Sequence, residues 1–163
     1  DVLIYSRVAR ADVLLAEVDL NALLAELTSQ FSSLQTPDAR IEIARPLLPV
    51  RAHEPSLGQA LANLLGNAVK FKRPDTPAEI RISTERRDKR IRIWVQDNGI
   101  GIEPRLHDRL FRVFERINPT ASIEGTGIGL AIVRKAVEKM GGQVGVVSDG
   151  KNGSRFWIEL DAA

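Results

Sequence analysis

The run EIRISTERRDKRIRIWVQD, residues 79–97, limits the possible folds of this chain more than any other segment. Ile80 and Ile82 on one arm, and Ile91, Ile93 and Val95 on the other, recur with a period of two. Their side chains therefore fall on one face of a β-hairpin, and that face must be covered. Helical periodicity supplies the cover. LNALLAELTSQF follows Asp19, a good N-cap, and PSLGQALANLLGNAVKFKRP has Pro55 in its first turn and Pro74 beyond its end. GLAIVRKAVEKM is a third helix, and EPRLHDRLF a helical turn. ARIEIARPLLPVRAH offers a strand around Ile41 and Ile43 and a short one near Val50, and QVGVVSD with SRFWIEL forms a closing hairpin. Strands and helices intermix without a regular βαβ repeat, so the expected fold is α+β: one mixed sheet covered by helices on one face.

The chain has 163 residues, 44% of them apolar, enough for one domain with a real core. Its net charge is +2 and its basic residues are dispersed among acids, which argues against nucleic acid as a partner. The absence of cysteine excludes a disulfide scaffold, thiol chemistry and cysteine zinc sites, and agrees with a reducing compartment, so a cytoplasmic location is expected. No run approaches the roughly 20 apolar residues of a membrane span. Near the start, Ile4, Val8, Ala11, Leu15 and Val18 recur at heptad spacing, predicting over residues 1–18 the end of a longer helix that packs on a partner. The alternative is an amphipathic helix on this domain's own core.

Three features carry chemistry. In IEGTGIGLAIVRK, Gly125, Gly127 and Gly129 occupy alternate positions before a helix, where unpaired N–H groups and a positive dipole end suit phosphate. The spacing fits neither the dinucleotide fingerprint nor the P-loop, so a simple turn before a helix stays open. In ANLLGNAVKF, Asn63, Asn67 and Lys70 share one helix face, which can hold a metal–phosphate assembly or be a solvated polar stripe. In VQDNGIGI, Asp97 can accept an exocyclic amine, as adenine offers where guanine has a carbonyl, and Gly99 and Gly101 let a planar ring approach the backbone; a plain Asp-Asn-Gly turn is the alternative. LFRVFERINPTASIEG places Phe111 and Phe114 as an apolar hinge before an aperiodic stretch that suits a lid.

Together these motifs resemble the histidine kinases of two-component signalling, especially the phytochrome-like kinases, within the GHKL superfamily that includes gyrase, an ATP-driven heat-shock chaperone and the mismatch-repair ATPase. ANLLGNAVKF is similar to their asparagine box, DNGIGI to the first glycine box, LFRVF to the phenylalanine box and GTGIGLAIV to the second glycine box, in the family's order. GSRF and the opening VLIYSRV also look like family segments. The resemblance implies a two-layer α/β sandwich of the Bergerat type over residues 19–163, preceded by a remnant of the dimerisation helix over residues 1–18. It implies ATP and Mg²⁺ as cofactors, with Asn67 as metal ligand, Asn63 beside it, Lys70 on a phosphate oxygen and Phe71 flanking the nucleotide. Asp97 becomes the adenine reader, Gly99 and Gly101 its walls, and Gly125, Gly127 and Gly129 the phosphate-facing lid end and helix start. Ile102, Thr126 and Leu130 fall in the same boxes and join the nucleotide set, while Arg116 matches a lid arginine that approaches the γ-phosphate.

One position departs from the superfamily's ATPases. Where gyrase-like members place a water-activating Glu, four residues before the metal Asn, this chain has Asn63, which cannot take a proton, so rapid hydrolysis is not expected. The implied reaction is transfer of the γ-phosphoryl group to a histidine on a dimerisation domain absent from this chain, for relay to a response regulator, with a homodimeric parent. Neither histidine suits the acceptor: His53 precedes the nucleotide helix, and His107 reads as a solvated helix residue. The rivals are a degenerate binding module and an ATP-hydrolysing clamp. Trp94 and Trp157 read as core or sheet-surface residues, and Arg86, Arg87 and Arg90 as a solvated hairpin tip.

Overall fold

A computed structural model describes residues 2–30, 37–112 and 128–163. The elements run α1 (Val2–Arg10), β1 (Ala16–Val18), α2 (Leu20–Gln30), β2 (Ala39–Ile43), β3 (Val50–Ala52), α3 (Glu54–Lys70), β4 (Ala78–Arg87), β5 (Arg90–Asp97), a 3₁₀ helix (Pro104–Arg109), α4 (Gly129–Lys139), β6 (Gln143–Val147) and β7 (Ser154–Asp161). Five strands form one sheet in the order β2-β4-β5-β7-β6, parallel between β2 and β4 and antiparallel elsewhere. The sheet is mixed, as expected.

Period two decides the sheet's faces. Ile80, Ile82, Ile91, Ile93, Val95, Phe156, Ile158 and Leu160 are buried and meet Leu57, Leu61, Leu64 and Leu65 of α3 and Val133, Ala136 and Val137 of α4. Among the described residues no helix layer covers the opposite face, yet Trp94 is only 8% exposed. Its cover is side chains: Trp94 pairs across the strands with Trp157, the Arg155 guanidinium lies 4.1 Å over the Trp94 ring, and that of Arg92 3.8 Å over Trp157. Arg92 is fixed in turn by Glu159, 2.8 Å from Nη2 to Oε2. Arg90 departs from the sequence expectation: instead of a solvated tip residue, it donates from Nη2 to Gly141 O at 2.8 Å and lies beside Glu159.

The N-terminal helix also departs from it. The helix stops at Arg10, and Ala16–Val18 pair with β3 in an antiparallel ribbon, so Leu15 and Val18 leave the heptad register. α1 packs on α4, where Lys139 Nζ donates to Ala9 O. Asp19 does cap α2, accepting from Asn21 N at 2.9 Å through Oδ1. Among the described residues no helix is long and apolar enough to cross a membrane.

Candidate functional site

A cleft opens between the C-terminal half of α3, the end of β5 and the start of α4, lined by Asn67, Phe71, Asp97, Ile100, Gly101, Ile102, Leu130, Ser154 and Phe156. Asp97 ends β5, where the strand leaves the sheet, and so lies at the cleft floor. Its Oδ1 accepts two backbone N–H groups, from Gly99 at 2.9 Å and Ser154 at 3.2 Å. Oδ2 accepts no hydrogen bond among the described residues and remains available to a ligand donor. Burial pushes the Asp97 carboxyl above its ordinary range, and the two N–H bonds pull it partly back.

On α3, the i, i+4 spacing sets Asn63 and Asn67 one above the other, but their amides differ. Asn63 is engaged: Nδ2 donates to Gly129 O at 2.9 Å, and Oδ1 accepts from Gln59 Nε2 at 2.8 Å. That pair of bonds ties α3 to the first residue of α4. Asn67 lines the cleft, and its side-chain amide makes no hydrogen bond among the described residues. Lys70 closes α3, exposed, with Nζ 5.4 Å from the centroid of the Phe71 ring. Phe71 is half-buried at the cleft edge.

The glycines of the first box serve the protein's own backbone. A Cβ at Gly99 would stand 2.5 Å from Phe71 O, so Gly99 is where the segment after β5 crosses the end of α3; Ile100 N donates to the same carbonyl. Gly101 has φ 77° and faces Gly150 and Lys151, whose atoms a Cβ would approach to 2.9 Å. Close approach is thus required as expected, but the near neighbour at both positions is protein backbone.

Gly129 begins α4, and Leu130 lines the cleft, so the N-terminal end of α4 opens beside Asn67. Of the sequence candidates, the structure brings together Asn63, Asn67, Phe71, Asp97, Gly101, Ile102, Gly129 and Leu130. Phe114, Arg116, Gly125, Thr126 and Gly127 lie outside the described residues, as does the expected lid. Phe111 meets Phe156 edge to face, ring centroids 6.2 Å apart. Sequence reasoning missed Ile100, Ser154, Phe156 and Gln59; GSRF contains two of them, and Gln59 stands one helical turn before Asn63. His53 occupies the N-cap position of α3 without a side-chain bond to the helix N–H groups, its Nδ1 lying 2.6 Å from Ser56 Oγ, and His107 Nε2 lies 3.1 Å from Ile102 O.

Residues 52–163 match the family described as histidine kinase-, DNA gyrase B- and HSP90-like ATPase. Sensor histidine kinase AruS of Pseudomonas aeruginosa is 42% identical over 120 residues, 69% of this chain and 12% of that protein. Phytochrome-like protein Cph1 of Synechocystis is 31% identical over 161 residues, 98% of this chain and 21% of that one. The chain thus spans about an eighth to a fifth of the length of these curated relatives. Full-length ShkA in complex with AMPPNP is similar in structure, with a TM-score of 0.78 at 34% identity, covering 99% of this chain and 35% of that one. The nucleotide-free catalytic domain of histidine kinase ThkA gives a TM-score of 0.75 at 27% identity, covering 92% and 97%.

Proposed function

This chain belongs to the histidine kinase-, DNA gyrase B- and HSP90-like ATPase family as the ATP-binding catalytic domain of a sensor histidine kinase, and from that premise we propose how its cleft works. Adenine enters between Phe71 and the Gly101–Ile102 backbone and donates its exocyclic amine to Asp97 Oδ2. The free Oδ2 on an otherwise satisfied carboxylate carries this assignment. The phosphates lie toward the N-terminal end of α4, whose N–H groups and dipole favour negative charge. Lys70, at the end of α3, supplies a cation, and Arg116 a second one from the segment outside the described residues.

The donor set suits Mg²⁺ only as a partner of phosphate. Among the described residues no cluster of three or more His, Asp or Glu is placed to hold a metal, whereas Asn67 offers one unengaged carboxamide oxygen. Mg²⁺ is held this way, by few protein oxygens and several phosphate or water oxygens, and when bound it neutralises phosphate charge. Asn63, already bonded at both ends of its amide, positions α4 and does not take a proton from water.

The γ-phosphoryl group then passes to a histidine on a dimerisation domain of the same protein, and from there to a response regulator. A neutral imidazole is nucleophilic enough to need no base from Asn63. Residues 2–10 are the end of that domain's helix, with the boundary in residues 11–15, because pairing with β3 supports assigning β1 to the catalytic unit. Isothermal titration tests the cleft: the unaltered chain should bind ATP and ADP well above GTP, and Asp97→Ala should abolish binding. Equal titration of ATP and GTP would remove Asp97 as the adenine acceptor.

A further inference from the structure

Behind Asp97 the cleft wall is the segment after β5, and the turn between β6 and β7 backs that segment. They lean on each other at several points. Gly101 approaches Gly150 and Lys151, and Ile102 N donates to Ser148 Oγ at 2.9 Å while that hydroxyl donates to Gly153 O at 2.7 Å. Ser154, at the end of the turn, bonds Asp97. Only one long side chain from outside both loops reaches across the pair among the described residues. Arg73, just beyond α3, donates from Nε to Gly99 O at 3.3 Å and from Nη2 to Lys151 O.

We propose that Arg73 is a positioning residue of the nucleotide cleft, strapping residues 98–102 to the turn 148–153 so that Asp97, Ile100, Gly101 and Ile102 meet the base as a preformed slot. The proposal rests on the assignment of this cleft to ATP. Guanidinium is the side chain suited to the task, since its donors diverge in a rigid plane and satisfy two carbonyls on separate loops at once. Lysine carries its three donors on one nitrogen at the end of a flexible stem, so it cannot hold two separated carbonyls in a fixed plane. Both loops are irregular connections carrying glycines at positive φ (Gly101, Gly150 and Gly153), the kind of backbone whose ordering a ligand must otherwise supply on binding. Arg73 is itself exposed and outside the hydrophobic core, so its bonds bear on the slot rather than on the packing of the two layers.

The test uses the whole chain and three probes, ATP, ADP and adenosine, each displacing a fluorescent ATP analogue, with adenosine taken to millimolar concentration. Arg73→Ala should weaken all three by a similar factor, about three- to tenfold for two lost hydrogen bonds, and Arg73→Lys should recover part of the loss. In the nucleotide-free chain, amide exchange at Gly101, Ile102 and Lys151 should quicken by a comparable factor in Arg73→Ala, with the melting temperature nearly unchanged. Unaltered affinity in both variants overturns the proposal, as does unaltered exchange. A loss confined to ATP and ADP, with adenosine untouched, would make Arg73 a phosphate contact and also overturn it. If the unaltered chain binds none of the probes, the ATP assignment falls and the nucleotide role of Arg73 falls with it, whereas binding by the unaltered chain with identical variants condemns Arg73 alone.

Discussion

The surroundings of Asp97 disfavour its charged form. Burial raises its carboxyl above the ordinary 3.8 by more than the Gly99 and Ser154 N–H groups lower it. The folded value exceeds the unfolded one, so the protonated form favours the fold: that contribution is full below about 3.8 and is lost as pH rises through the raised folded value. Where the carboxyl is charged, that charge is thus a net cost to stability, set against its proposed role as adenine acceptor. Asp97→Asn keeps an oxygen for the two N–H groups but turns Oδ2 into a donor facing the adenine amine. Thermal melts should show the variant a few degrees more stable at pH 8, with the gap narrowing toward pH 4, while titration shows ATP affinity down at least tenfold. Asp97 was legible in sequence because a carboxylate beside two glycines is a recognisable pattern. Ser154, Ile100 and Phe156 were not, since each reads as an ordinary strand or loop residue until β7 is laid beside β5.

At the scale of the element, α3 divides its labour by face. Leu57, Leu61, Leu64 and Leu65 are buried, and the polar stripe carries two asparagines, one bonded at both ends of its amide and one with its amide unengaged among the described residues. Asn63→Ala removes the bond to Gly129 O and leaves Gln59 without its acceptor, so urea melts should report a loss of about 1–3 kcal/mol for two hydrogen bonds. Asn67→Ala breaks no bond of the protein, so its stability should stay within about 0.5 kcal/mol of the parent. Its effect should instead fall on the Mg²⁺-dependent part of ATP affinity, read by titration with and without the metal, with adenosine binding spared. Period and capping signals located α2, α3, α4 and the hairpin well, because each buries a face against a neighbour near in sequence or long enough to show its period. They failed at residues 11–18. Five apolar residues at heptad spacing cannot distinguish a continuing helix from a strand whose partner, β3, comes more than thirty residues later.

For the molecule as a whole, the order of the motifs conveyed more than any single one. The asparagine stripe, Asp97 and the start of α4 come from separate parts of the chain and converge only because β5 lies central in the sheet and α3 and α4 pack side by side on it. Sheet order itself was not legible, since the period of two fixes faces but not neighbours. The chain alone should bind nucleotide but neither hydrolyse it quickly nor label itself from γ-labelled ATP. Supplied with the acceptor-bearing helical hairpin of its parent protein, it should transfer an acid-labile, base-stable phosphate to that hairpin, slowly because the covalent tether is missing. Strong labelling of the isolated chain would contradict the absence of an acceptor, and bound ATP without transfer at high hairpin concentration would contradict the kinase assignment.

The small ribbon beside the main sheet has a geometric consequence of its own. β3 is three residues long, yet Val18 and Ala162 both pair with its Val50, one from each side. Ala163 N also reaches Pro49 O. The route into the domain through β1 and the route out through β7 therefore pass through the same narrow gate. A torque on α1 and a pull on the last strand act on a single anchor point, and slackening that strand would free both ends of the domain together.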